Sequence, residues 1–161
     1  MQTPLRINDE RATRAARLER YMHDSIPLVR HMHVRVAAFD GGGLTLSAPL
    51  APNINHEQTA FGVSLAGLAT LACWGLLWLQ LEDHEHTHIV VNESHLHYLR
   101  PVNGELRAHC PHPPEEMLRR FLHTLARRGK ARVELKAEIL QDGQICTEFQ
   151  GAFVAYRENG S

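Results

Sequence analysis

The sequence predicts an α+β domain in which a long antiparallel sheet wraps around a buried central helix, and three observations carry that prediction. The first is the stretch over residues 61–81, which has no charged side chain and is apolar on every face of a 3.6-residue period. The second is a set of strand patterns on both sides of it, at 33–40, 44–50, 88–98, 105–110, 131–140 and 145–156. The third is their order. Helix, two strands, buried helix, two strands, helix and two strands make one domain over 1–161, and only a curling sheet would hide such a helix on most sides.

Each element has a local reason. Residues 8–23 read as a helix, with Asn8 or Asp9 as N-cap and a thin apolar line through Ala12, Ala15, Leu18, Tyr21 and Met22, ended by Pro27. The triple glycine 41–43 turns the first two strands into a hairpin. A polar loop over 49–58 then feeds the uncharged helix. That helix satisfies the length rule for a membrane span, but Ser64, Thr70 and Gln80, the absence of Lys or Arg beside either end and the Glu82-Asp83 exit read as a core helix. Its glycines, Gly62, Gly67 and Gly75, each cost about 1 kcal/mol against alanine, which predicts another backbone packed very close. After the helix, 88–98 and 105–110 read as antiparallel partners around a turn at 101–104. Pro114, the acids behind it, the terminal arginines and Gly129 delimit a second amphipathic helix, and Asp142-Gly143 marks the last hairpin.

Composition excludes some classes of function. With 17 Lys and Arg against 18 Asp and Glu, the chain lacks the basic excess of a nucleic-acid binder. The three scattered cysteines give no disulfide framework and point to a reducing compartment, the cytoplasm by default. The first twenty residues have no apolar core and read as no secretory signal.

Three segments carry a family resemblance over almost the whole chain. NINHEQTAFGVSLA (53–66) resembles the Asn-x-x-Gly-x-x-(Phe/His)-Gly-Gly loop and helix start of the hotdog-fold acyl-thioester enzymes. HYLRPVNGEL (97–106) resembles their strand and turn after the central helix, and LARRGKARVELKAEI (125–139) is similar to one thioesterase family, whose domain also forms the C-terminal half of fusions with an acetyltransferase. The resemblance implies a hotdog fold, a homodimer that could pair further, sites built across the subunit interface and an acyl carrier protein or CoA thioester as substrate. Members of that family have been assigned malonyl-ACP decarboxylase activity, supplying acetyl-ACP to start fatty acid synthesis. By position, Asn55 matches the motif asparagine, Thr59 the threonine before the helix, and Phe61-Gly62 the helix start. Gln58 and Val63 depart from it, standing where glycines are usual.

The chemistry follows from the residue types. A thioester enzyme must hold a carbonyl oxygen as it gains charge, and the free N–H groups of a helix N-terminus do so; the Gly62 N–H is the candidate donor. Asn55 and Thr59 offer an amide and a hydroxyl to orient a carboxylate or a water, although each alone suits a cap or turn. His56 and Ser64 stand behind them as second-tier catalytic candidates, and Asn53 and Phe61 as substrate-binding ones. Hydrolysis needs a base, and the uncharged helix leaves His56 or a residue from elsewhere. Decarboxylation needs only an oxyanion site and neutral polar groups, which favours it, with thioesterase as the alternative and a non-catalytic thioester-binding protein as the remote one. Arg127, Arg128 and Lys130, within a basic run from Arg119 to Arg132, fit either a solvated helix end or a surface for an acidic carrier or CoA phosphates. Histidines crowd residues 84–97, yet twelve are spread along the chain with no recurring ligand spacing, so neither metal nor cofactor is expected, and neither nucleic acid nor membrane is an expected partner.

Overall fold

The computed structural model describes residues 4–158. Its centre is α3 (Gly62–Gln80), wrapped by a six-stranded antiparallel sheet in the order β1-β2-β4-β5-β6-β3. The strands are β1 (Arg35–Asp40), β2 (Gly43–Ala48), β3 (Thr87–Tyr98), β4 (Leu106–Pro111), β5 (Lys130–Gln141) and β6 (Gln144–Arg157). Strict alternation makes β5 one-sided: Val133, Leu135, Ala137 and Ile139 are buried toward α3, while Glu134, Lys136 and Glu138 face solvent. From the helix, Leu68, Ala69, Ala72, Leu76 and Leu79 complete the core.

Burial corrects the expectation that α3 is hidden all round. Val63, Ala66, Gly67, Thr70, Trp74 and Trp78 form one partly exposed stripe, and Tyr21 stacks on both tryptophans at 6.1 and 5.2 Å. The stripe has no charge because it is built of small residues and indoles, so periodicity could not separate it from the core face. The glycine expectation also needs correcting. A Cβ on Gly75 would meet the side chains of Leu44 at 2.9 Å and Leu18 at 3.2 Å, and one on Gly67 would lie 3.7 Å from the Met32 sulfur; neither meets a backbone.

The N-terminal helix α1 is longer than the sequence suggested, Pro4–Ser25, so Asn8 and Asp9 lie inside it and do not cap it. Proline tolerates the first helical turn, which lets the helix start there. Pro27 does not merely end α1; it opens a further short helix, α2 (Pro27–Met32), closed by left-handed His33 with φ 57°. The last helix, α4 (Glu115–Arg128), follows the expected signals, with Gly129 at φ 69° sending its N–H back to the Leu125 carbonyl at 2.8 Å.

Strand pairing departs from the sequence reading in one place. β3 and β4 do not form a hairpin. β3 pairs with β6 along the outer edge, whereas β4 lies between β2 and β5. The connection at 101–104 is held elsewhere, because the Val102 carbonyl accepts the Ala60 N–H at 2.8 Å. The hairpin of β5 and β6 forms as expected around Asp142 and Gly143, both with positive φ.

Candidate active site

Short polar contacts shape the loop before α3. Asn53 is buried and its amide donates to the carbonyls of Met32 at 2.9 Å and Pro49 at 2.8 Å, while its own carbonyl accepts the Phe61 N–H at 2.7 Å. It thus pins α2, the loop and the first residue before α3 to one another. Asn55 organises the loop tip: its Oδ1 accepts from the N–H groups of Glu57 at 2.9 Å and Thr59 at 3.0 Å. Its Nδ2 donates to Thr59 Oγ1 at 2.9 Å. The hydroxyl hydrogen of Thr59 stays free to point at a ligand, since its oxygen already accepts from Asn55.

Phe61 is the N-cap, extended at φ −66° and ψ 131°, and no side chain caps the helix. The first intrahelical bond is Leu65 N–H to the Phe61 carbonyl at 3.1 Å, so the N–H groups of Gly62, Val63 and Ser64 come before the ladder begins. They carry the positive end of a 19-residue helix dipole. A cleft of about 300 Å³ opens here, lined by Ala60, Gly62, Leu65, Tyr98, Leu99, Arg100 and Pro101. Tyr98 closes one side: its hydroxyl donates to the Gly62 carbonyl at 3.2 Å, and its ring would lie 3.7 Å from a Cβ on Gly62. Arg100 places a cation at the rim, its Nη1 bonded to the Ile145 carbonyl at 3.0 Å.

The structure joins Asn55 to Thr59 at the loop tip and puts Gly62 in the lining of the cleft, while Asn55, Thr59 and Phe61 stand beside that lining and Asn53 is a buried brace behind the loop. Ser64 sits half-buried in the first turn, and further along α3 the Thr70 hydroxyl donates to the Ala66 carbonyl at 2.8 Å. His56 is solvent-exposed and pairs with Glu57 at 3.2 Å, outside the cleft. Arg127, Arg128 and Lys130 stand at another end of the sheet. Sequence reasoning missed Tyr98 and Arg100, which lay in a quoted segment but gave no signal that the strand end would fold back over Gly62.

Other features do not compete for the chemistry. Two larger grooves, about 730 and 780 Å³, flank α1 and the edge of β1. There Glu19 accepts the Val36 N–H at 2.8 Å and His23 Nε2 donates to the Val34 carbonyl at 2.6 Å, contacts that cover an exposed strand edge. Among the described residues no three His, Cys, Asp or Glu side chains are grouped to hold a metal. The cysteines are free and buried, and desolvation together with the neighbouring Cys110 thiol pushes Cys73 well above its ordinary value.

Gln58 adopts φ 63°, in the left-handed region that favours glycine. Gln58→Gly is expected to stabilise the fold by up to about 1 kcal/mol, seen as a higher urea midpoint. A lower midpoint would mean the glutamine side chain contributes more than its backbone conformation costs.

Comparison with known proteins agrees with this fold. The family model described as "Putative thioesterase (yiiD_Cterm)" matches residues 15–157. A protein of unknown function from Chlorobaculum tepidum TLS is 35% identical, with a TM-score of 0.86, over 89% of this chain and 94% of its own. A structure titled "putative thioesterase" from Shewanella oneidensis is 33% identical, with a TM-score of 0.80, over 90% and 99%. A Pseudomonas aeruginosa protein at 24% identity and a TM-score of 0.75, covering 89% and 96%, shares the fold.

Proposed function

Since this chain belongs to the "Putative thioesterase (yiiD_Cterm)" family and has the hotdog fold, we propose that it acts on acyl thioesters at the N-terminus of α3, decarboxylating malonyl-ACP to acetyl-ACP at the start of fatty acid synthesis. The observation that carries the choice is the character of the cleft: uncapped helix N–H groups, a tyrosine and an arginine line it, and among the described residues no carboxylate or imidazole does. In the reaction, the bond from the α-carbon to the carboxylate breaks and its electron pair moves to the thioester oxygen, as CO₂ leaves. The Gly62 N–H and its neighbours stabilise the enolate, and water returns a proton to the α-carbon. Thr59, held by Asn55, turns the carboxylate out of the thioester plane before it departs.

Hydrolysis is the second reading, favoured by the family's description and by the His56–Glu57 pair at the loop tip, which offers an imidazole as a base. His56→Ala separates the two. A decarboxylase should keep its rate within about twofold, whereas a hydrolase using His56 should lose about 100-fold. Mass spectrometry of malonyl-ACP, malonyl-CoA and longer acyl-CoAs after incubation with the protein gives the direct test: acetyl-ACP marks decarboxylation and a free carrier thiol marks hydrolysis. Failure to turn over any thioester would sink both readings.

The active unit in this proposal is a homodimer. β3 is a twelve-residue edge strand that exposes Val90, Val91 and Tyr98, and Phe61 and Val63 are exposed on and beside the start of α3. A long edge strand presents a row of unpaired N–H and C=O groups that is a template for pairing with another strand.

A further inference from the structure

Within one protomer, the cationic residues singled out by the sequence stand far from the cleft. Tyr98, at the end of β3, touches Gly62, but the start of β3 lies at the other end of the sheet: Thr87 is opposite Arg157, and Lys130 and His88 are both opposite Tyr156. There the Arg157 N–H bonds the Gly129 carbonyl at 2.8 Å, so Arg127, Arg128, Lys130 and Arg157 gather at one corner. All four are exposed, and among the described residues none has an acidic partner at ion-pair distance. The rest of the basic run is already engaged: Arg119 and Arg120 bind Glu116, and Arg132 binds Glu93 and Glu134. His88 and Glu158 also face this corner and approach each other at 3.6 Å, and the Glu158 N–H bonds the His86 carbonyl at 3.2 Å. Twelve residues at about 3.4 Å each make β3 roughly 40 Å long, so one chain cannot present both features to a single substrate head.

A two-fold axis changes that. Two copies of one edge strand related by a dyad must run antiparallel, so the start of one β3 lies beside the end of the other. The corner made by Arg127, Arg128, Lys130 and Arg157 is then carried to the cleft of the opposite protomer. We infer that each active site is served in trans by this corner, which docks the acidic surface of a carrier protein while the thioester reaches the N-terminus of α3 in the other subunit. This rests on the proposed homodimer and on the acyl-thioester reading of the cleft. Four unpaired cations spread over a helix end and two strands fit a protein face better than one phosphate.

Two measurements test it. In R128E/K130E, KM for malonyl-ACP should rise at least tenfold with kcat little changed, its dependence on ionic strength should flatten, and the rise should exceed that for malonyl-CoA. An equal rise for malonyl-CoA would assign the corner to phosphate and overturn the carrier assignment. The second is complementation, using differently tagged chains purified as mixed dimers. Asn55→Asp disables the cleft while keeping both loop-organising acceptors, and R128E/K130E disables the corner. If the corner serves the opposite subunit, the mixed dimer contains one intact site and regains about half the wild-type kcat/KM. A mixed dimer no better than the mean of its parents would overturn the trans arrangement. Should Asn55→Asp homodimers remain fully active, it is the reading of the cleft that fails, and the KM comparison still decides the docking.

Discussion

Asn55→Ala is expected to lower turnover of the thioester substrate by about 100- to 1,000-fold, the scale seen when a preorganised polar group is lost from an acyl-transfer site. The argument starts from the hydrogen bonds Asn55 already makes. Its Oδ1 satisfies two backbone donors and its Nδ2 fixes the Thr59 hydroxyl, so the side chain acts on substrate through Thr59 and through the loop that sets the entry to α3. Truncation removes four hydrogen bonds from a half-exposed loop, one of them a long contact of 3.4 Å to the Ala60 carbonyl, costing about 1–3 kcal/mol of stability, well short of unfolding the domain. The expected signature is a kcat that falls far more than the thermal midpoint predicts. Asn55→Asp keeps the two acceptor bonds and loses the donor, so it should retain most stability while still losing turnover. If Asn55→Ala were destabilised but Asn55→Asp remained active, the residue would be a loop organiser alone.

Much of this fold is legible because its signals are local. The ends of α4 are set by Pro114, Glu115, Glu116 and Gly129, and the β5–β6 hairpin by Asp142 and Gly143. What was not legible depends on partners distant in the chain. The turn over 101–104 looked like a hairpin between β3 and β4, yet β4 finds β2 and β5, and Val102 closes on the loop before α3. Those choices are made by which faces need burial, and no short window contains them. The same limit governs the site. The loop asparagine and threonine stand four residues apart and were readable as a pair, whereas Tyr98 reaches Gly62, and Arg100 the cleft beside it, only after β3 has paired with β6. The basic corner shows the converse: its charge was plain in the sequence, but its distance from the cleft needed the strand register.

The largest stability effect is expected in the core, for Phe153→Ala, at about 3–5 kcal/mol. Phe153 is fully buried on β6, facing α3, with its ring centroid 6.4 Å from that of Phe149 and the rings tilted by 54°. Between the two phenylalanines stands Gly151, and a Cβ there would come within 2.6 Å of Phe149 Cζ and 2.9 Å of Phe153 Cε2. Both rings are enclosed, so neither can swing into open space, and Gly151→Ala alone should cost about 1–3 kcal/mol by overpacking. The two changes should not add. Removing the Phe153 ring vacates one of the two volumes that the new methyl group enters, so the double variant should be less destabilised than the sum by about 0.5–1 kcal/mol or more. Urea unfolding at one fixed protein concentration checks this, because a dimer's midpoint moves with concentration. Strict additivity would show that Gly151 is set by Phe149 alone, and that the strand glycine makes room for one ring rather than for the pair.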